Sequence, residues 1–188
     1  MQDINIELLE NEPLQYQIHQ LKEQFINLFA SIANQISDKE LALLHTDHKG
    51  KKISKGNELQ HCPYQVLDIV RDFDKKKGFN IRFLNWWGHG LYIIVYYGVD
   101  KIPSSEIYQS YLSNGFSLGR TGSPWDYKGM ITHQMHSNEI PFEKLPEHLN
   151  KFRHLQLLKR IPYKAKTKDL EKSIIEEWSS IKKFKESE

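Results

Sequence analysis

Two histidines and a carboxylate lie close together in the chain as His45, Asp47 and His48. Imidazole and carboxylate groups are metal ligands, so on one turn of chain they can share an ion and activate water for a hydrolase or a transferase. His61, at the far end of the same polar segment, is a further candidate for such an enzyme. The same residues also suit an ordinary polar loop, because the chain has no H-E-x-x-H motif and only one cysteine.

Other pairs of reactive residues have unfavourable spacing. His133 and His136 share a face only in a helix, and Cys62 directly follows His61, so in an extended segment their side chains point apart. Asp68 and Asp72 lie about 13 Å apart along a strand, beyond the ~5–9.5 Å of glycosidase carboxylates. These patterns identify no catalytic residue and no cofactor.

The residues numbered 80–98 predict a β-hairpin. NIRFLNWW and LYIIVYYG are rich in β-branched and aromatic residues, and Gly88-His89-Gly90 separates them. Alternate residues of a strand face opposite sides, and here both sides are apolar or aromatic. A sheet with one wet face alternates apolar and polar residues, so something must cover the second face of this hairpin.

Three covers suit this second face: other parts of the chain, a second subunit in a homodimer, or a bound apolar or aromatic ligand. Tyrosine and tryptophan favour the last two, because each combines an apolar body with a polar group. The candidate ligand-binding residues are Arg82, Trp86, Trp87, Tyr92 and Tyr96.

The same region carries a resemblance. KISKGNEL, then PYQVLD, then NIRFLNWWGHGLYIIV resembles a family of uncharacterised Bacteroidetes proteins that have a Gly-containing loop, a short strand and a Trp-Trp-Gly hairpin in this order. The likeness covers about residues 51–98. It implies a common fold and a bacterial protein, and it assigns no activity and no functional residue.

Charge is unevenly distributed along the chain. Residues 1–50 carry three basic and eight acidic side chains, whereas residues 151–188 carry eleven basic and six acidic ones. Lysines of the segment HKGKKISKGN can hold an anion. Weak nucleic-acid binding would need this segment, the basic 151–168 segment and exposed aromatic residues on one face. The net charge of only +2 argues against nucleic acid as the partner.

The elements that must position these residues follow from hydrophobic spacing. Pro13 opens a long helix, Ser37 and Glu40 form a capping box, and Thr167 starts a C-terminal helix. Residues 45–61 are expected to be the longest loop, and residues 149–158 a helix. The pattern predicts an α+β fold with helices packed on one antiparallel sheet of about four to five strands.

Length and composition agree with one domain over residues 1–188, with residues 1–13 as an arm and residues 182–188 as a frayed tail. The longest apolar run is too short to span a membrane, and the first residues lack a signal sequence. With a single cysteine, these features predict a cytoplasmic protein that does not bind membranes. The preferred interpretation is a non-catalytic binding module that uses the aromatic hairpin, and the alternatives are the metal enzyme and the weak nucleic-acid binder.

Overall fold

The computed structural model describes residues 3–132 and 140–186, which form an α+β fold. The strands are β1 (Lys52–Leu59), β2 (Cys62–Arg71), β3 (Phe79–Trp86), β4 (Gly90–Tyr97), β5 (Ser117–Leu118) and β6 (Leu155–Ile161). They form one antiparallel sheet in the order β1-β2-β3-β4-β6-β5. The predicted fold class is confirmed, and the sheet has six strands rather than four to five.

Helices precede and follow the hairpins. They are α1 (Ile6–Leu9), α2 (Glu12–Gln35), α3 (Asp38–Leu44), α4 (Ser105–Ser113), α5 (Tyr127–Thr132), α6 (Leu145–Phe152) and α7 (Thr167–Glu186), with a 3₁₀ turn at Phe142–Lys144. The long terminal helices are confirmed, and Ser37 and Glu40 form the predicted capping box at the start of α3. Within the predicted arm, α1 occupies Ile6–Leu9. Within the predicted tail, α7 continues to Glu186, and Lys182 pairs with Glu40 at 2.9 Å.

The predicted hairpin is formed by β3 and β4. Ile81 pairs with Val95 and Trp86 with Gly90, and the turn places Gly88 at φ +76° and Gly90 at φ +131°. Backbone at positive φ is readily adopted by glycine, which explains the two glycines at this turn. With this register, alternate residues of β3 and β4 share a face of the sheet, as the sequence predicts.

One face of the sheet carries the main core. Buried side chains of four strands meet apolar side chains of α2, α3, α4, α6 and α7 there, and those on the strands include Leu67, Ile69, Ile81, Phe83, Ile93, Val95, Leu155 and Leu157. Burial of this apolar surface is the main favourable contribution to folding. The helices thereby supply the cover for this face.

Two local predictions are wrong. The expected loop 45–61 contains β1, an edge strand in which exposed and partly buried residues occur on both sides and none is fully buried, so its sequence lacks the alternation of a half-buried strand. The expected helix 149–158 is α6 followed by β6. Arg153 interrupts the helix at φ +64°, and Leu155 and Leu157 then share a buried strand face. The sequence favours a helix here because Leu149, Phe152, Leu155 and Leu158 recur every three residues, a spacing that also fits a helix face.

Candidate functional site

The second face of the sheet is covered by the chain itself. Val66, Leu84, Trp86, Tyr92, Ile94 and Leu158 form a buried cluster with Tyr127 and Met130 of α5. Met130 lies close to the chain at Gly119, where an added Cβ would approach the Met130 Cγ to 2.7 Å. Of the three predicted covers, the chain accounts for this central part of the face.

Trp86 and Tyr92 are therefore packing residues. Trp86 is fully buried, its indole Nε1 donates to the Leu59 carbonyl at 2.9 Å, and its ring stacks on His89. The Tyr92 hydroxyl donates to the His89 carbonyl at 3.0 Å. Both polar groups are satisfied by the protein, so neither offers a free partner to a ligand.

Trp87 lies elsewhere. It lines a cavity of about 360 Å³ together with Phe25 and Tyr163, and its indole donates to the Gln65 amide oxygen at 3.0 Å. Gln65 lies on the side of β2 that faces the helices, so Trp87 does not share a site with Tyr96.

Arg82 is held on the second face by a carboxylate and a cage of rings. Its guanidinium makes two hydrogen bonds to Asp68, at 2.8 and 2.9 Å, and one to the Tyr127 hydroxyl. Its central carbon lies 5.1 Å from the Phe73 ring centre and 5.0 Å from that of Trp125. Burial alone would lower the pKa of Arg82, but these partners outweigh it and raise the pKa, so the guanidinium stays charged.

The same rings begin a row along the sheet. Centre-to-centre distances are 4.6 Å from Trp125 to Phe73, 5.7 Å from Phe73 to Tyr96, and 5.9 Å from Tyr96 to His154. We call these four residues the aromatic row. Tyr96 and His154 are almost completely buried, whereas Trp125 is 49% exposed. The row thus runs from the interior to the surface.

Local sequence explains how the row is positioned. In the turn after β2, the Asp74 carboxylate accepts hydrogen bonds from the amides of Lys76 and Lys77, which fixes Phe73 beside Tyr96. Trp125 follows Pro124, whose carbonyl accepts a hydrogen bond from the Gln156 side chain at 3.1 Å. The Gln156 bond ties the turn of Trp125 to β6, and the Tyr96 hydroxyl ties the other turn to β4 by donating to the Asp74 carbonyl at 3.2 Å.

The aromatic row lines a cleft of about 700 Å³. The other residues that line it include the cations Lys75, Lys76, Lys151 and Arg153, and no aspartate or glutamate stands among the described lining residues. Burial raises the pKa of Tyr96, and the charges of Asp74 and Asp72 raise it further. Burial lowers the pKa of His154. At neutral pH the floor of the cleft is therefore uncharged, and its rim is positive.

A neighbouring cavity of about 530 Å³ shares Phe73 and Trp125 with the cleft. Its lining mixes basic side chains with carboxylates, including Arg82 with Asp68 and Lys49 with Asp72. Its charges are thus largely compensated within the protein, in contrast to those of the cleft.

The histidines of the metal hypothesis are engaged separately. His45 is buried, with Nε2 2.8 Å from Asp72 and Nδ1 2.6 Å from the Lys101 ammonium, whereas His48 Nδ1 accepts from the Gly50 amide. Asp47 and His61 are exposed. Across residues 3–132 and 140–186, no three His, Cys, Asp or Glu side chains are grouped to hold a metal ion. His133 and His136 lie outside the described residues.

The sequence did not single out Phe73, Trp125, Lys151 or His154. Trp125 carried one usable signal, because a tryptophan beside Pro124 in a polar turn is an apolar ring without a local core. The others join the site through the pairing of β4 with β6 and the packing of the turns, which no local pattern specifies.

Comparison of the chain with protein-family models, with curated proteins and with solved structures found no match. The resemblance of residues 51–98 to uncharacterised Bacteroidetes proteins stays a prediction. No helix within the described ranges combines the length and the apolar content that crossing a lipid bilayer requires.

Proposed function

We propose that this protein is a binding module whose ligand joins a flat ring to an anionic group and occupies the cleft over the aromatic row. One observation supports this proposal above all: a floor of aromatic rings lies below a rim of four cations, without a carboxylate among the described lining residues. This ligand retains the aromatic part predicted from the hairpin and adds a negative charge.

The floor suits a planar ring. Trp125 offers a half-exposed face next to Phe73, and an aromatic pair contributes about 0.5–1.5 kcal/mol beyond the burial of its area. The volume of about 700 Å³ lies within the range of pockets that hold small organic ligands. A ligand ring stacked on Trp125 would extend the aromatic row by one member.

The rim suits an anion. Lys75, Lys76, Lys151 and Arg153 are exposed, so each alone contributes little in water and is screened by salt. Together the four cations outnumber the nearby carboxylates Asp74 and Asp72, and no carboxylate stands among the described lining residues. The resulting positive potential favours negatively charged ligands over neutral ones of the same shape.

The proposal is tested by calorimetric titration with naphthalene-2-sulfonate, which combines a ring and an anion. We expect it to bind at least about tenfold more tightly than 2-naphthalenemethanol or inorganic sulfate, each of which has one of the two parts. Added salt should weaken the binding of the sulfonate and leave the affinity for the alcohol unchanged. Equal affinities for the sulfonate and the alcohol, or no binding of the sulfonate, would overturn the proposal.

Variants locate the binding. Lys76→Glu reverses one rim charge on an exposed side chain, and Trp125→Ala removes the outer ring of the aromatic row. Each variant should bind the sulfonate several-fold more weakly than the unchanged protein. Lys164→Glu is the matched control, because it makes the same charge change at the separate cavity lined by Trp87. If Lys164→Glu weakens binding as much as Lys76→Glu, the ligand site is not the cleft.

A further inference from the structure

His148 is a buried histidine whose ring is poorly satisfied by the part of the chain that the structure describes. It lies on α6 and is only 5% exposed, and neither ring nitrogen has a hydrogen bond of normal geometry to residues 3–132 or 140–186. The backbone of His154 lies near enough to favour the protonated ring, but it leaves at least one ring nitrogen open. Its ring contacts Phe152 at 4.7 Å between centres. Buried polar groups are paired in the great majority of cases, so an imidazole that lines a cavity with an open ring nitrogen suits a bound group that can complete its hydrogen bonds.

The cavity that His148 lines has a volume of about 260 Å³ and a positive lining. Arg120, Lys144 and Lys151 contribute three cations, and Glu147 is the one carboxylate among the described lining residues, which leaves +2. Arg120 follows β5, Lys144 belongs to the 3₁₀ turn, and Lys151 lies on α6. The three cations thus come from three separate elements around His148.

This cavity adjoins the cleft. Lys151 and Phe152 line both, so the last turn of α6 is the wall between them. On the cleft side of this wall stands His154, at the inner end of the aromatic row. Because the exposed Lys151 side chain borders both spaces, a molecule on the row would have to reach past it to place a group beside His148.

We propose that the cavity around His148 is a phosphate subsite, which binds a phosphate or diphosphate group carried by the ring compound of the cleft. This inference rests on the proposed function and narrows its ligand class to phosphorylated ring compounds. The Lys and Arg side chains neutralise the phosphate charge, and His148 donates a hydrogen bond to one of its oxygens.

The charge state of His148 agrees with this role. Burial first, and then the charges of His154 and Arg120, lower its pKa to about 4. At neutral pH the ring therefore carries one N–H donor and one acceptor. The charged and titratable groups around His148 are Arg120, Lys144, Glu147, Lys151 and His154. Most of them are basic, so a bound anion would offset their positive charge and raise the pKa of His148.

The test uses inorganic pyrophosphate and 1-naphthyl phosphate on the whole chain, with the imidazole signals followed by NMR. The His148 signal is assigned by its loss in His148→Phe. We expect pyrophosphate to shift this signal, with half of the full shift reached at about 1 mM pyrophosphate. We expect 1-naphthyl phosphate to bind at least tenfold more tightly than 1-naphthol or inorganic phosphate.

Two variants test the subsite. His148→Phe should reduce pyrophosphate affinity about tenfold and leave naphthalene-2-sulfonate binding in the cleft unchanged. Glu147→Gln removes the opposing carboxylate from an exposed position, so it should strengthen pyrophosphate binding about threefold without altering the fold.

The outcomes separate the two proposals. If naphthalene-2-sulfonate binds as expected but pyrophosphate leaves the His148 signal unmoved, the subsite is wrong and the cleft proposal stands. If pyrophosphate shifts His148 but the naphthyl ring adds no affinity, the link between subsite and cleft is overturned, and the cavity binds free phosphate.

Discussion

His45 and Asp72, 27 positions apart in the sequence, meet inside the protein with Nε2 2.8 Å from the carboxylate Oδ2. The other ring nitrogen of His45 faces the Lys101 ammonium at 2.6 Å, so His45 joins the end of α3 to the segment that follows β4. A histidine that the sequence offered as a metal ligand is thus a structural link between two elements.

Replacing His45 by leucine should destabilise the protein. The change removes the donor to the almost fully buried Asp72 and leaves a carboxylate without that hydrogen bond, at a cost of about 2–3 kcal/mol. Urea denaturation measures the loss. The control is His19→Leu on the exposed side of α2, which should change the unfolding free energy by less than about 0.5 kcal/mol. Equal effects for the two variants would contradict a stabilising role for the His45–Asp72 contact.

The Arg82–Asp68 pair gives a larger prediction. Arg82→Met leaves the buried Asp68 carboxylate without its two guanidinium bonds and should cost about 3–5 kcal/mol. Adding Asp68→Leu removes the unpaired charge and should restore a large part of this loss in a double-mutant cycle. A double variant as unstable as Arg82→Met would show that the charge on Asp68 is not the cause. The exposed pair of Lys55 and Glu23 is the control, and Lys55→Met should cost less than about 1 kcal/mol.

The capping box at α3 allows a test with two substitutions at one position. The Ser37 hydroxyl accepts from the Glu40 amide, and the Glu40 carboxylate accepts from the Ser37 amide. Ser37→Ala should cost about 1 kcal/mol, and Ser37→Gly only a few tenths, because glycine is tolerated at this position. Thermal unfolding of both variants provides the measurement, and the reverse order would contradict the assigned cap.

His148 predicts a pH dependence of stability. Its pKa is lowered to about 4 in the folded protein, by burial first and then by His154 and Arg120, from an ordinary value of 6.5. Between these values the unfolded chain binds a proton that the folded chain does not, so the unfolding free energy falls as the pH falls. From about pH 7 to about pH 5 the loss from this group is up to about 2 kcal/mol.

Urea titrations across this pH range check the prediction. His148→Phe should show a smaller loss of stability on acidification. Glu40 does not interfere in this range. The Ser37 backbone amide and Lys182 lower its pKa to about 2, so its contribution to the unfolding free energy is lost only below about pH 5. An unchanged slope in His148→Phe would mean that other groups, such as His154, account for the pH dependence.

The sequence predicted those features that local physics determines. The hairpin follows from its alternation and its glycines, and the start of α3 follows from Ser37 and Glu40. The apolar second face of the hairpin also followed, because both sets of alternate residues are apolar. These features depend on residues within a few positions of each other.

The cleft depends on distant parts of the chain, and this explains why only two of the five predicted binding residues line a cavity on the second face. Arg82 and Tyr96 do so, whereas Trp86 and Tyr92 lie beneath α5 and Trp87 faces the other side. The four aromatic ones have the same amphipathic character, so residue type does not distinguish the open Tyr96 from the covered Trp86 and Tyr92. The difference is set by how α5 and the turns before it pack on the sheet.

The strand order has a consequence for synthesis on the ribosome. β6 pairs with β4 on one side and with β5 on the other, so β4 stays an open sheet edge until residues up to Ile161 have emerged. Open edges of apolar strands attract other strands, and contacts between distant segments form slowly. A nascent chain that stalls before β6 would expose this edge and depend on chaperones to stay out of aggregates.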